Sequence, residues 1–464
     1  MRVSFIAWSI LWMIISLLLV VTIDNTSIYA HDVFVASNLA SYFLCLYNWL
    51  KCGNRLSSIY VVFVVYAMFS NLGQSLLYYI PNIDVFMGLY NYANIKEVNQ
   101  MLRFQLCCIA AFNLGTVLFI AKKRNSVTTK ELQDQYASLL VKKWGIVEQQ
   151  VFDMALIITS FLIVVFSLHQ LQMRQTMSYA ELYDSRDLIH YSITYSCVAL
   201  GTWSILRKRH VQKIYYLWLF LIAAFFIAGT RALAIVYIGA FVVLLPISHP
   251  RLFVKKYLPY WGVLGVALFV LLGVISSFRE GSIGDAEVDT EGGVLIGMYK
   301  TVNEMGASAR VNVLTMNYAD ELQERPQTIG YALVRGFLPD PVANVIVPQN
   351  WRIHFGDWVH KHHSSTSGWG GSFIAEFYLN YGWLAPLFML IYGFLIAFLE
   401  NSAYKRIKIG SVFFLSIIIP VLSRQVFFAR GQMGLITDYI RMSFIFFILW
   451  LLFGALRSGS FKNV

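Results

Sequence analysis

Long apolar runs dominate this chain, and the polar connectors between them alternate between basic-rich and basic-poor. A helix needs roughly 17 to 25 predominantly apolar residues to cross a bilayer. Runs of that kind predict spans at 4–22, 34–50, 57–80, 101–121, 151–172, 188–206, 214–230, 231–247, 257–276, 373–399, 410–423 and 433–453. The run 410–423 is short, and 214–247 can also be read as a tight or partly re-entrant hairpin. The connectors KCGNR, AKKRNSVTTKELQDQYASLLVKKWG, RKRH, SHPRLFVKK and YKRIK are basic, whereas 23–33 and 81–98 are not. Positively charged loops stay in the cytoplasm, so both termini are predicted inside. The first run is long and no small-residue cleavage site follows it, so it reads as an anchor and not as a signal peptide.

One connector departs from the pattern of short loops. Residues 277–372 form a predicted outer loop of 96 residues with Pro326, Pro339, Pro341 and Pro348. Loops of this length are usually functional or disordered. This one contains Trp351, Trp358 and Trp369 and the helical-looking stretch NEMGASARVNVLTMNYADELQ, so an ordered lid is expected. The predicted organisation is 1–276 with nine spans, 277–372 as the large outer loop, and 373–464 with three more spans.

Composition agrees with a membrane protein. Hydrophobic residues make up 58%, charged residues 13%, and the mean hydropathy is +0.60, against about a quarter charged in soluble domains. The net charge of +11 gathers in the cytoplasmic connectors, so it is a topology signal and no nucleic-acid partner is expected. The five cysteines lie in or beside spans, which implies neither a disulfide framework nor a metal site.

The two basic residue types are segregated. The outer side is predicted to hold Lys96, Lys300 and Lys361 as its only lysines, beside many arginines. Orientation rules do not distinguish lysine from arginine, whereas phosphate recognition does: the planar guanidinium donates in a fork that suits phosphate oxygens. Arg231 opens a span in AGTRALAIVYIGAF, and Arg279 lies at the start of the large loop. Arg424 and Arg430 follow the eleventh span beside a glycine-rich turn, where both could reach one pyrophosphate. Asp438 and Arg441 stand three apart in the last span and can pair on one helix face.

The loop ends in WRIHFGDWVHKHHSSTSGWGGSFIAEFYLNYGW, which places Arg352, His354, Asp357, His360, His362 and His363 just before Glu376. Histidine titrates near neutrality and can act as a general base. The SSTS run before a helix offers an anion site. The histidine spacing matches no common zinc pattern, and no metal or other cofactor is expected. His354, His363 and Glu376 are the catalytic candidates. Arg231, Arg279, Arg352, Arg424 and Arg430 are the candidates for binding pyrophosphate and substrate.

With these residues in view, the chain resembles the bacterial O-antigen polymerases of the Wzy family. The likeness covers the whole topology, GTRALAIVYIGAF before the large loop, and Glu376-Phe377-Tyr378 with Asn380-Tyr381-Gly382 after it. An Arg-x15-Gly spacing found in some members runs from Arg352 to Gly368 and does not recur from Arg174, because position 190 is His190. The resemblance implies an all-α polytopic fold of the GT-C kind in the bacterial inner membrane, with its active site facing the periplasm. It implies a metal-independent glycosyltransferase that moves a growing glycan from undecaprenyl pyrophosphate to an incoming lipid-linked repeat unit. Donor and acceptor are both undecaprenyl-pyrophosphate-linked oligosaccharides. Membrane lipid is a partner, and a chain-length regulator is a candidate one. An O-antigen ligase or a non-enzymatic lipid-linked oligosaccharide flippase would share several of these features.

Overall fold

The computed structural model describes residues 2–80, 88–122, 131, 134, 136, 146–176, 188–249, 252, 293–320, 322, 325–363, 371–405 and 412–460. Its regular elements are helical. They are α1 Arg2–Thr22, α2 Ile28–Lys51, α3 Ile59–Leu77, α4 Ile95–Ile120, α5 Ile146–Thr176, α6 Leu188–Leu206, α7 Val211–Ile227 and α8 Arg231–Ser248. After these come α9 Gly293–Met305, α10 Ser308–Ala319, α11 Thr328–Phe337, α12 Asp340–Ile346, α13 Phe355–His363, α14 Phe373–Tyr381, α15 Ala385–Lys405, α16 Val412–Phe428 and α17 Met433–Ser460.

A helix occupies each expected span except 257–276, which lies outside the described residues. Among the described residues, six helical segments are long and apolar enough to cross a membrane: Val3–Thr22, Ile28–Lys51, Ile59–Leu77, Ile95–Ile120, Gln149–Gln175 and Phe373–Ala403. Val211–Ile227, Ala232–Ser248 and Val412–Phe428 are shorter apolar helices. The stretch 214–247 is a helical hairpin, α7 and α8, turned by Gly229 at φ 77°.

The helices pack as membrane helices do, through small residues and buried polar contacts. A Cβ on Gly115 of α4 would lie 1.9 Å from the Leu390 carbonyl oxygen, and one on Gly393 of α15 would lie 2.1 Å from that of Phe112. Each glycine thus admits the other helix's main chain. Asn48 of α2 donates to Asn113 of α4 at 3.1 Å and to Ser9 of α1 at 3.2 Å. At the other end of α15, Glu400 pairs with buried Arg55 at 3.5 Å and accepts from the Tyr60 N–H at 2.8 Å. In α4, Asn94 and Glu97 form a reciprocal capping box.

The described part of 277–372 is ordered against these helices. Helix α9 packs on α3, α10 on α14 and α3, and α11 on α17.

Candidate functional site

The Glu-x-Tyr and Asn-x-Gly residues are a docking point for the long connecting segment that holds Asp320, Arg325 and Thr328. Glu376 is buried in the first turn of α14. Its Oε1 accepts from the Thr328 hydroxyl at 2.9 Å, and its Oε2 from the Met433 backbone N–H at 2.7 Å. Thr328 and Met433 are the first residues of α11 and α17, so one carboxylate meets the positive ends of two helix dipoles. Asn380, one turn on, donates to Thr328 Oγ1 at 2.9 Å and accepts from the Ile329 N–H at 3.1 Å. The Tyr378 hydroxyl donates to Asp320 at 2.6 Å, and its carbonyl accepts from Arg325 at 2.7 Å. Gly382 closes α14 at φ 55°, a backbone region natural to glycine, with the Arg325 guanidinium against it.

Beside this hub, α11 and α17 assemble a charged cluster. Arg335 of α11 donates to both carboxylate oxygens of Asp340, at 2.9 and 3.3 Å, and its Nη1 faces His354 Nε2. Arg441 donates to the same Asp340 at 2.9 Å and pairs with Asp438 at 3.7 Å, the i,i+3 contact expected on α17. The Tyr331 ring lies 5.4 Å from His354, and Gly434 leaves room for the imidazole. Next to His354, the Gly356 N–H donates to Gln432 at 2.6 Å, fastening the start of α13 to the α16–α17 turn. Burial, and after it the neighbouring Arg335, lowers the His354 pKa below 6.5. The Arg335 hydrogen bonds hold Asp340 below the usual carboxylate value.

Arg424 lies near the same cluster, within electrostatic reach of Asp438. It is buried on α16 and donates through Nη1 to the Ala232 carbonyl, in the first turn of α8. The rings of Tyr191, Phe427 and Tyr439 lie 5.2–5.4 Å from its guanidinium carbon. Its Nε and Nη2 have no hydrogen-bond partner among the described residues, and neither has the Tyr439 hydroxyl. A buried cation with two open donors, held among aromatic faces, is suited to an anionic oxygen.

The other predicted residues are distributed more widely. Arg231 begins α8, one residue from the Arg424 contact, and is described by its backbone alone. Arg430 has different surroundings from Arg424. Its carbonyl accepts from the Gly371 N–H at 3.1 Å, and its charge acts on Arg310, which lies 5.5 Å over the Tyr92 ring. Arg352 is exposed and donates to the Val347 carbonyl at 2.9 Å. His360 is exposed, whereas His362 stacks on Trp358 at 4.5 Å and bonds that residue's carbonyl. His363 closes α13 and is described by its backbone alone; Arg279 and the SSTS run lie outside the described residues. Among the described residues, no group of three or more His, Cys, Asp or Glu side chains is arranged to hold a metal.

Sequence reasoning passed over Arg335, Asp340 and Arg310. Arg335 and Arg310 stood only as two of many outer arginines, and nothing local tied either to a histidine or a tyrosine. The one available signal was the five-residue separation of Arg335 and Asp340 across Pro339, which turns the chain back on itself.

A family model described as O-antigen polysaccharide polymerase Wzy matches residues 4–458, nearly the whole chain. The chain belongs to that family. No curated protein matches it, and no solved structure does. Membership in the Wzy family makes this a glycosyl-transferring polymerase of O-antigen that works on lipid-linked oligosaccharide. In this Wzy polymerase, the Arg424 environment and the α11–α17 cluster bring guanidinium groups together beside apolar helices.

Proposed function

We propose that the protein polymerises undecaprenyl-pyrophosphate-linked repeat units at the periplasmic face of the inner membrane, through a fold of about twelve spans capped by residues 277–372. A hydroxyl on the incoming unit attacks the anomeric carbon of the growing glycan. The bond from that carbon to the pyrophosphate oxygen breaks, the electron pair leaves with the pyrophosphate, and the hydroxyl proton passes to a base. Charge develops on the leaving group, and arginine guanidinium groups brought against it stabilise it. Arg424, with the start of α8 and its Arg231 alongside, takes this role. Arg335 and Arg441, crossed on Asp340, flank the lipid-linked headgroup, and Arg430 with Arg310 offers a second cationic point on the other side of the α16–α17 turn. Among the base candidates, Glu376 has both oxygens engaged inside the protein and His354 turns Nε2 to Arg335. That engagement favours His363.

The observation that carries this reading is the buried guanidinium of Arg424 with Nε and Nη2 unpartnered. The test is the length distribution of surface glycan in a clean deletion strain complemented with Arg424→Lys. Lysine keeps the charge and loses the fork. Collapse of the ladder to a single repeat unit, with the protein at normal level in the membrane, is the expected result. A normal ladder removes Arg424 from phosphate handling. Loss of all attached glycan in the deletion strain would point to a ligase or a flippase.

A further inference from the structure

We infer that α11 and α12 form a hairpin embedded in the outer leaflet, so that part of the large loop lies in lipid and not in water. The inference rests on the proposed orientation, in which α17 enters the membrane from the periplasmic side. Three observations carry it. Leu333, Phe337, Val342, Val345 and Ile346 form an exposed apolar face on the two short helices, with Val345 84% exposed. The chain has no charged residue between Asp340 and Arg352. Within 341–348 the only polar residue is Asn344, and an apolar surface of this kind is unusual in water and marks contact with lipid or another protein.

The second observation is where this face sits. Helix α11 lies against α17: a Cβ on Gly336 would come 2.8 Å from Thr437, and the Phe337 and Phe444 rings are 5.6 Å apart. At about 1.5 Å per residue, Phe444 is about 16 Å along α17 from Met433. The start of α11 is held at the start of α17 by their common Glu376 acceptor. The far end of α11 therefore descends beside α17. From Phe444 onward α17 exposes Ile445, Phe447, Ile448, Leu449 and Leu451, so the apolar face of the hairpin continues the lipid-facing surface of a span.

The third observation is the treatment of charge at the elbow. Arg335, Asp340, Arg441 and Asp438 are cross-paired, with the Asp340 side chain left half-exposed, as suits charges at the headgroup boundary of a membrane. The embedded hairpin sets these arginines at headgroup level, where a lipid-linked pyrophosphate lies.

Nitroxide collision measurements test this on the full chain in vesicles of phosphatidylethanolamine and phosphatidylglycerol. The five native cysteines are buried, so labels go to Val345→Cys and, separately, Val342→Cys. Ile448→Cys is the lipid reference and Lys361→Cys, at an exposed position of α13, the aqueous one; each variant is first shown to restore the glycan ladder in cells. The expected result is an oxygen-to-nickel collision ratio at 345 and 342 that matches 448 and exceeds 361 several-fold. A ratio matching 361 places the hairpin in water and overturns the inference. Protection from both reagents shows the face covered by protein, whether this chain or a second copy, and also overturns it. An aqueous ratio at Ile448 overturns the span reading of α17, and the inference with it.

Discussion

The Glu376 carboxylate and the Met433 backbone N–H meet at 2.7 Å, joining the first turn of α14 to the first residue of α17. With Thr328 on the other oxygen, this residue is bound as a clamp. Glu376→Gln keeps an acceptor for Met433 and can donate to Thr328 once that hydroxyl turns. Polymer ladders close to normal are expected. Glu376→Ala leaves both donors buried without an acceptor, at about 1–3 kcal/mol each, so a lowered Tm in detergent and a lost ladder are expected. A well-folded Glu376→Gln protein without polymer would make Glu376 the base after all.

His354 gives stability a pH dependence with a definite sign. Its pKa is depressed below 6.5, so the unfolded chain takes up the proton first. The stabilisation is complete above the unfolded value and is lost as pH falls through the lowered folded value. Asp340, depressed below 3.8, responds only in stronger acid. Relative to His354→Gln, the Tm of the wild type should therefore fall between pH 7 and pH 5. Equal slopes in the two proteins would show that another group titrates.

Asp340 separates geometry from stability. Its side chain is 45% exposed, so its ion pairs should contribute only about 0.2–1 kcal/mol each. Asp340→Asn should barely move Tm. Arg335 and Arg441 would nevertheless lose their shared anionic anchor, and a shortened glycan ladder is expected. A normal ladder would show that the two arginines need no common partner.

Gly393→Ala should be among the most damaging small substitutions. The added methyl meets the Phe112 carbonyl oxygen at 2.1 Å, well inside contact distance, and α4 and α15 must separate. Loss of folded protein from the membrane fraction is the readout; wild-type yield would contradict the close packing of this pair.

Much of the helical layout was legible because apolar runs of span length have few alternatives. Even there, α2 begins at Ile28 and not near 34, and α16 runs on to Phe428. Polar residues such as His31 and Arg424 hide helical turns whose neighbours bury them. The site was less legible. The Glu376, Tyr378, Asn380 and Gly382 pattern stood out, but its partners Thr328 and Met433 lie 48 and 57 residues away. His354 could be picked by residue type, whereas its contact with Arg335 depends on the course of α11 and α12. Arg424 and Arg430 looked like one pair by spacing, and the end of α16 gives them separate surroundings.

Gly382 divides what hydropathy reads as a single span into two rods of unequal duty. The longer rod, α15, is fixed to α4 by the reciprocal glycine contacts. The shorter, α14, is tied to Thr328, Ile329 and Asp320 of the long connecting segment and, through the same Glu376 carboxylate, to the first residue of α17. One apolar run therefore carries two separate duties on either side of a single glycine: α15 is committed to α4, while α14 gathers the ends of elements far apart in the sequence.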